Sequence, residues 1–326
     1  MSESPGFPEK STTRVHFAHI AYQFDTCFAR RTPSVDYFQS RSLEQTAARI
    51  GECEALVITG FWRNELLEHA KNLRFIQVAG AGYDAFDLDA LSARGIRLAN
   101  SSGVNKNAVS EHAMGLLLAF SRRLHEARDN QHKRIWRAMM ADFSLREDEL
   151  PGKTLLIYGM GAIGSRLASI ARAFDMHVIG IRRSPATDTA AHEMHTPEAF
   201  NTLLPRADYV ALTCPLTDST RNLMNAKTFS LMRNDAYFIN VARGGCVDES
   251  ALVDALANGV IKGAGIDTTV IEPLASDSPL WSLQNAIITP HTGGETCRYE
   301  ENVLDFLEEN LDRLWSGRSD LVNQII

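Results

Sequence analysis

An apolar run, Thr154-Leu155-Leu156-Ile157-Tyr158, opens directly onto Gly159-Met160-Gly161-Ala162-Ile163-Gly164. Beyond it, Ile163, Leu167, Ile170, Ala171 and Phe174 fall on one helical face. A strand that enters a helix through three spaced glycines leaves few folds open. The first glycine allows the tight turn, the second lets backbone approach a pyrophosphate, and the third lets the helix pack on the strand. The unpaired N–H groups at the helix start then face the phosphates. The spacing predicts a dinucleotide cradle of Gly159, Gly161, Ala162, Ile163 and Gly164, set in a parallel α/β sheet.

The next apolar run, residues 177–181, ends at Arg182-Arg183-Ser184. An NAD site places an acid here to hold the ribose 2′-hydroxyl. A carboxylate would repel a 2′-phosphate, whereas arginine binds one through paired, charge-assisted hydrogen bonds. NADP(H) is therefore expected over NAD(H), with a solvated basic turn as the plainer alternative.

The 326 residues suffice for two domains with full cores. A net charge of −7 argues against a nucleic-acid-binding face. Cys27, Cys53, Cys214, Cys246 and Cys297 form no Cys-x-x-Cys pair, which fits a reducing cytoplasm and supports neither a disulfide framework nor a metal site. Residues 1–14 lack the apolar core of a signal peptide and read as a loose tail, and the longest apolar stretch, 113–120, is too short to cross a bilayer. No membrane partner is expected.

Strands are predicted at 15–20, 55–59, 74–78 and 96–99, with helices at 43–50, 64–70 and 88–93. Such alternation predicts a parallel sheet covered on both faces. The loop of residues 79–84 follows one strand, and its small residues would offer N–H groups to an anion, a simple tight turn being the alternative. The polar break at 100–103 marks the crossing into a second domain. An apolar helix is predicted at 108–124, whose Glu111 and His112 read as structural. Residues 129–150, with Trp136, Met139, Met140 and Phe143 among charges, read as a subunit arm or as core packing. Further strands are predicted at 209–213, 236–240, 263–266 and 286–289, and a closing helix at 295–314.

Polar residues gather after these strand ends. Arg243 follows one, between Ala242 and Gly244-Gly245; Glu272 precedes Pro273, and His291 follows Pro290. A guanidinium can hold the carboxylate of a 2-oxo acid and polarise its ketone, an imidazole can donate a proton near neutral pH, and a carboxylate can orient the imidazole. Taken singly, Arg243 could serve only cofactor phosphate, Glu272 could be a surface acid and His291 a loop histidine.

Together, Gly103-Val104-Asn105, Glu111-His112-Ala113, the glycine turn, Cys214-Pro215-Leu216-Thr217, Asn240-Val241-Ala242-Arg243-Gly244, Asp267 with Glu272-Pro273, and Thr289-Pro290-His291 resemble the D-isomer-specific 2-hydroxyacid dehydrogenases over nearly the whole chain. The resemblance implies two Rossmann-like or flavodoxin-like domains with the active site in the cleft between them. The substrate domain would comprise residues 15–102 with 293–326, and the dinucleotide domain 103–292, with a dimerisation arm at about 108–150. It implies that Arg243 orients the substrate, His291 is the acid/base and Glu272 supports it. Asp267 would bind the nicotinamide amide, Ala81 and Gly82 the substrate carboxylate, and Cys214 and Pro215 the adenine, with Val241 and Ala242 also beside the cofactor. It implies a homodimer, in which Trp136 would reach the neighbouring site. Arg182-Arg183 in place of the family's usual acid, and Thr292-Gly293-Gly294 after the histidine, depart from its commoner pattern. The first points to members resembling NADP-using glyoxylate/hydroxypyruvate reductases. A nucleotide-sensing corepressor of the same fold is the alternative function.

Overall fold

The computed structural model describes residues 6–31, 35–184 and 190–326. The chain divides into two compact units, residues 1–105 with 296–326, and residues 106–295. In the first, β1 (Arg14–Ala18), β2 (Asp36–Ser40), β3 (Ala55–Ile58), β4 (Phe75–Val78) and β5 (Arg97–Asn100) form a parallel sheet in the order β2-β1-β3-β4-β5. Alternate residues face opposite sides: Phe17, Val57 and Phe75 pack against Val303, Leu307 and Leu311 of the last helix, while Leu56, Ile58 and Ile76 pack against Trp62, Leu66 and Leu91. Burial on both faces explains why these strands are continuous apolar runs.

Between the strands lie α1 (Phe24–Phe28), α2 (Leu43–Arg49) and α3 (Leu88–Ala93). The Ser42 and Asp87 side chains cap the starts of α2 and α3 by accepting from Gln45 N and Ala90 N. The helix expected at 64–70 is a 3₁₀ turn, Asn64–Glu68. The loose tail also needs correction. Phe7 packs on the core, Lys10–Thr12 form a 3₁₀ turn, and buried Thr13 accepts a hydrogen bond from Trp315 Nε1 at 3.0 Å; residues 1–5 lie outside the described residues.

In the second unit, α4 (Lys106–Ser121) and α5 (Leu124–Lys133) precede β6 (Thr154–Tyr158), α6 (Ala162–Ala173), β7 (His177–Ile181), β8 (Glu193–His195), α7 (Phe200–Leu203), β9 (Tyr209–Leu212), α8 (Ala226–Leu231), β10 (Tyr237–Asn240), α9 (Glu249–Ala257), β11 (Gly263–Ile266) and β12 (Ala286–Ile288). All seven strands are parallel, in the order β12-β11-β10-β9-β6-β7-β8. Leu155 and Ile157 bury against α4 and α6, and Leu156 and Tyr158 against the other face. Of the residues 108–150 expected as a dimerisation arm, Val109, Ala113, Leu116 and Phe120 of α4 belong to this core. The helix ends where Arg123 turns left-handed at φ 50°. What stands exposed comes after it: Trp136 at 97 %, Met139 at 100 % and Phe143 at 81 %. The closing helix α10 (Tyr299–Trp315) belongs to the first unit and starts four residues later than expected from 295. Among the described residues no helix is long and apolar enough to cross a membrane.

Candidate active site

β6 and β9 lie side by side in the second sheet, and the chain runs outward from them in opposite directions, to β7 and β8 on one side and β10 to β12 on the other. Loops leaving such a pair diverge and open a crevice at the carboxyl edge. The glycine turn sits there. Gly159 has φ +113°, and a Cβ on it would lie 2.6 Å from Cys214 N; one on Gly164 would lie 2.3 Å from Gly159 O. At Gly161 the same Cβ would meet nothing within 4 Å. Two glycines are thus needed by the protein's own packing, and the middle one faces open space. Gly161 also begins α6 without a side-chain cap, so the N–H groups of Ala162, Ile163 and Gly164 lack intrahelical acceptors. This arrangement fits a pyrophosphate.

At the end of β7, Arg182 N is held by His195 O at 3.1 Å. Arg183 and Ser184 are exposed. Cys214, Val241 and Ala242 are buried, so they offer a ligand chiefly backbone, whereas Pro215 is exposed. The Cys214 and Cys246 thiols hydrogen-bond to each other, which pulls Cys246 down to about 7 and pushes Cys214 up.

The three chemistry-bearing residues follow three adjacent strands. Arg243 succeeds β10, Glu272 lies in the loop after β11, and His291 comes three residues after β12. His291 Nδ1 lies 2.7 Å from Glu272 Oε2. Glu272 Oε1 accepts from Thr269 N at 3.1 Å, so both carboxylate oxygens are engaged. An ionised carboxylate only accepts, hence Nδ1 carries the proton and Nε2 is left for a reactant. The pair is 44 % and 38 % exposed. Solvent screening keeps its contribution to stability small, so its effect is orientation. The Arg243 loop is pressed on the Glu272 loop, for a Cβ at Gly244 would lie 2.0 Å from Thr269 O. The exposed Arg243 guanidinium is steadied by Ala242 O at 2.7 Å.

Asp267 directly follows β11. Its side chain is 3 % exposed. Oδ1 accepts from Thr289 Oγ1 at 2.6 Å, Thr292 N at 3.0 Å and Gly293 N at 3.1 Å, and Oδ2 from Gly293 N at 3.0 Å. Its backbone O takes His291 N at 2.8 Å. The carboxylate thus holds the loop that carries His291. Sequence reasoning missed Thr289, and it missed the partner that His112 Nε2 finds in Thr289 Oγ1 at 2.9 Å. Only the pairing of a polar residue on an apolar helix with a hydroxyl before Pro290 hinted at it.

Ala81 and Gly82 belong to the first unit. The carbonyls of their loop are occupied: Ala79 O by Tyr299 Oη at 3.0 Å, Gly80 O by Ser101 N at 2.8 Å and Ala81 O by Asn100 Nδ2 at 2.7 Å. Both residues are exposed.

The profile of the family described as D-isomer specific 2-hydroxyacid dehydrogenase, NAD binding domain, matches residues 114–293. Glyoxylate/hydroxypyruvate reductase B of Escherichia coli is 37 % identical over 290 residues, covering 84 % of this chain and 87 % of that protein. D-3-phosphoglycerate dehydrogenase of Mycobacterium leprae is 35 % identical over 280 residues, covering 85 % of this chain; the chain spans about half, 52 %, of that longer relative. A solved D-isomer specific 2-hydroxyacid dehydrogenase family protein from Aeromonas salmonicida superposes with a TM-score of 0.83 at 29 % identity, covering 97 % of this chain and 99 % of that one. A switch-point glycine cradle and a histidine–carboxylate pair, whose glutamate loop packs against the loop after Arg243, are thus found in a chain that belongs to the D-isomer-specific 2-hydroxyacid dehydrogenases.

Proposed function

We propose that this chain reduces a small 2-oxo acid to the D-2-hydroxy acid, reversibly, and uses NADP(H) in preference to NAD(H). The observation that carries the reading is the 2.7 Å contact between His291 Nδ1 and Glu272, at the same sheet edge as the glycine cradle. When bound, the reduced nicotinamide supplies the hydride that C2 receives. The protein's own groups do the rest. His291 Nε2 gives a proton to the substrate's developing alkoxide, with Glu272 holding the ring and stabilising its charged form. Arg243 holds the substrate and offsets the charge growing on oxygen. The amides of Ala162, Ile163 and Gly164 take the pyrophosphate. Arg182, Arg183 and Ser184 take the 2′-phosphate, and Cys214 and Pro215 border the adenine. Ala81 and Gly82 offer their N–H groups to the substrate carboxylate. The similarity to a glyoxylate/hydroxypyruvate reductase favours a substrate of that size. The five free thiols accord with a cytoplasmic setting, and the exposed apolar arm accords with a homodimer.

The test is His291→Ala, assayed with glyoxylate, hydroxypyruvate, pyruvate and an aryl 2-oxo acid. General acid–base help is worth about 10²–10⁴-fold, so kcat should fall by that order while NADPH binding persists. Unchanged turnover on the substrates used would overturn the reading.

A further inference from the structure

We propose that His112, on the long apolar helix α4, is a positioning residue for the acid/base loop; this rests on reading His291 as the proton donor. Thr289 Oγ1 has one proton, and it goes to Asp267 Oδ1 at 2.6 Å. The Thr289 oxygen is then an acceptor towards His112, which fixes the proton of that imidazole on Nε2, 2.9 Å away. The same nitrogen lies 3.5 Å from Asp267 Oδ1. His112 therefore closes a relay of hydrogen bonds, imidazole to hydroxyl to carboxylate, whose far end grips the amides of Thr292 and Gly293. Between those anchors His291 is held at φ +55°, a left-handed conformation that few residues other than glycine adopt and that histidine tolerates better than most.

The packing is equally specific. A Cβ on Gly293 would lie 2.7 Å from Asp267 Oδ2 and 3.2 Å from His112 Cδ2. Gly293 thus fits between the carboxylate and the imidazole, and the ring serves as both donor and wall. Removing the donor leaves the Thr289 hydroxyl free to turn from Asp267, and the loop loses the contact that selects its single arrangement. Small misplacement of a catalytic group is enough to slow a reaction that depends on geometry.

The experiment compares His112→Leu, which keeps volume and removes the donor, with His112→Gln, whose side-chain amide can replace Nε2–H, and with Thr289→Val. Turnover of glyoxylate and hydroxypyruvate is measured beside hydrogen exchange at the Thr292 and Gly293 amides. We expect His112→Leu to lower kcat at least tenfold, to leave the NADPH dissociation constant within threefold, and to speed exchange at both amides at least tenfold. His112→Gln should recover most of both losses. Thr289→Val should match His112→Leu, with the double variant little worse than either. Wild-type kcat and exchange in His112→Leu would overturn the proposal, and so would equal damage in the Leu and Gln variants, which would reduce the role to packing. If the wild type reduces no 2-oxo acid, the functional reading fails, while the exchange data still decide whether His112 holds the loop.

Discussion

His16 is buried with only one of its ring nitrogens paired among the described residues. It lies at 0 % exposure on β1, Nε2 2.9 Å from Ser40 Oγ, and its Nδ1 has no partner among the described residues. Burial, aided by the charge of Arg49 and opposed by that of Glu52, lowers its pKa to about 4. The unfolded chain takes up a proton near the ordinary value of 6.5, and the folded one does not until about 4. Stability is therefore complete above 6.5 and declines as pH falls towards 4, by about 3 kcal/mol in all. Denaturant unfolding at pH 7.5 and 5 should show the decline in the wild type and a flatter dependence in His16→Asn; equal slopes would exclude this histidine as the cause. Nothing in the local run Val15-His16-Phe17 announces the effect, since it depends on Ser40, Phe38 and Arg49 far along the chain. The pair Glu272–His291 was legible because each residue is next to a proline in a stretch shared with a known family. The support behind it was not, because His112 and Thr289 are 177 positions apart.

Among elements, those that bury both faces could be read directly. β6, β7 and β11 have the bounds their apolar runs predicted, 154–158, 177–181 and 263–266. The missed strands, β2 and β8, are sheet edges in which polar and apolar residues mix and most side chains are only half-buried, Asp36–Ser40 and Glu193–His195. The opposite edges, β5 and β12, carry Leu98-Ala99 and Ile287-Ile288 and were found, whereas Asp36, Gln39, Glu193 and His195 break up any such run in β2 and β8. β8 nonetheless matters, because its His195 carbonyl fixes the backbone of Arg182 where β7 ends. The proposed preference for NADP(H) is tested at the β7 end. Arg182→Asp with Arg183→Ala should weaken NADPH at least tenfold, by removing paired contacts to a 2′-phosphate, and shift preference towards NADH. Michaelis constants for both cofactors, unchanged by the substitutions, would show that the phosphate is held elsewhere.

At the scale of the molecule, the stretch after α5 leaves Ile135, Trp136, Met139 and Phe143 exposed, four large apolar side chains close together in the sequence, as at surfaces that meet a partner. A second copy of the chain covering it is the expected outcome. Light scattering should give twice the chain's 36.1 kDa, and Trp136→Glu with Met139→Glu should shift the mass towards one chain while far-ultraviolet circular dichroism is kept. A wild type of single-chain mass would refute the dimer. The division of the chain has a consequence for its birth. Residues 106–295 are contiguous and emerge from the ribosome in sequence, but the earlier unit lacks α10 until residues 296–326 arrive. At about 5–20 residues per second, translation of the intervening stretch lasts roughly 10–40 s. Throughout that interval Phe17, Val57 and Phe75 have no Leu307 or Leu311 to shelter them. The nascent first unit therefore keeps one face of its sheet uncovered until residues 296–326 have been made.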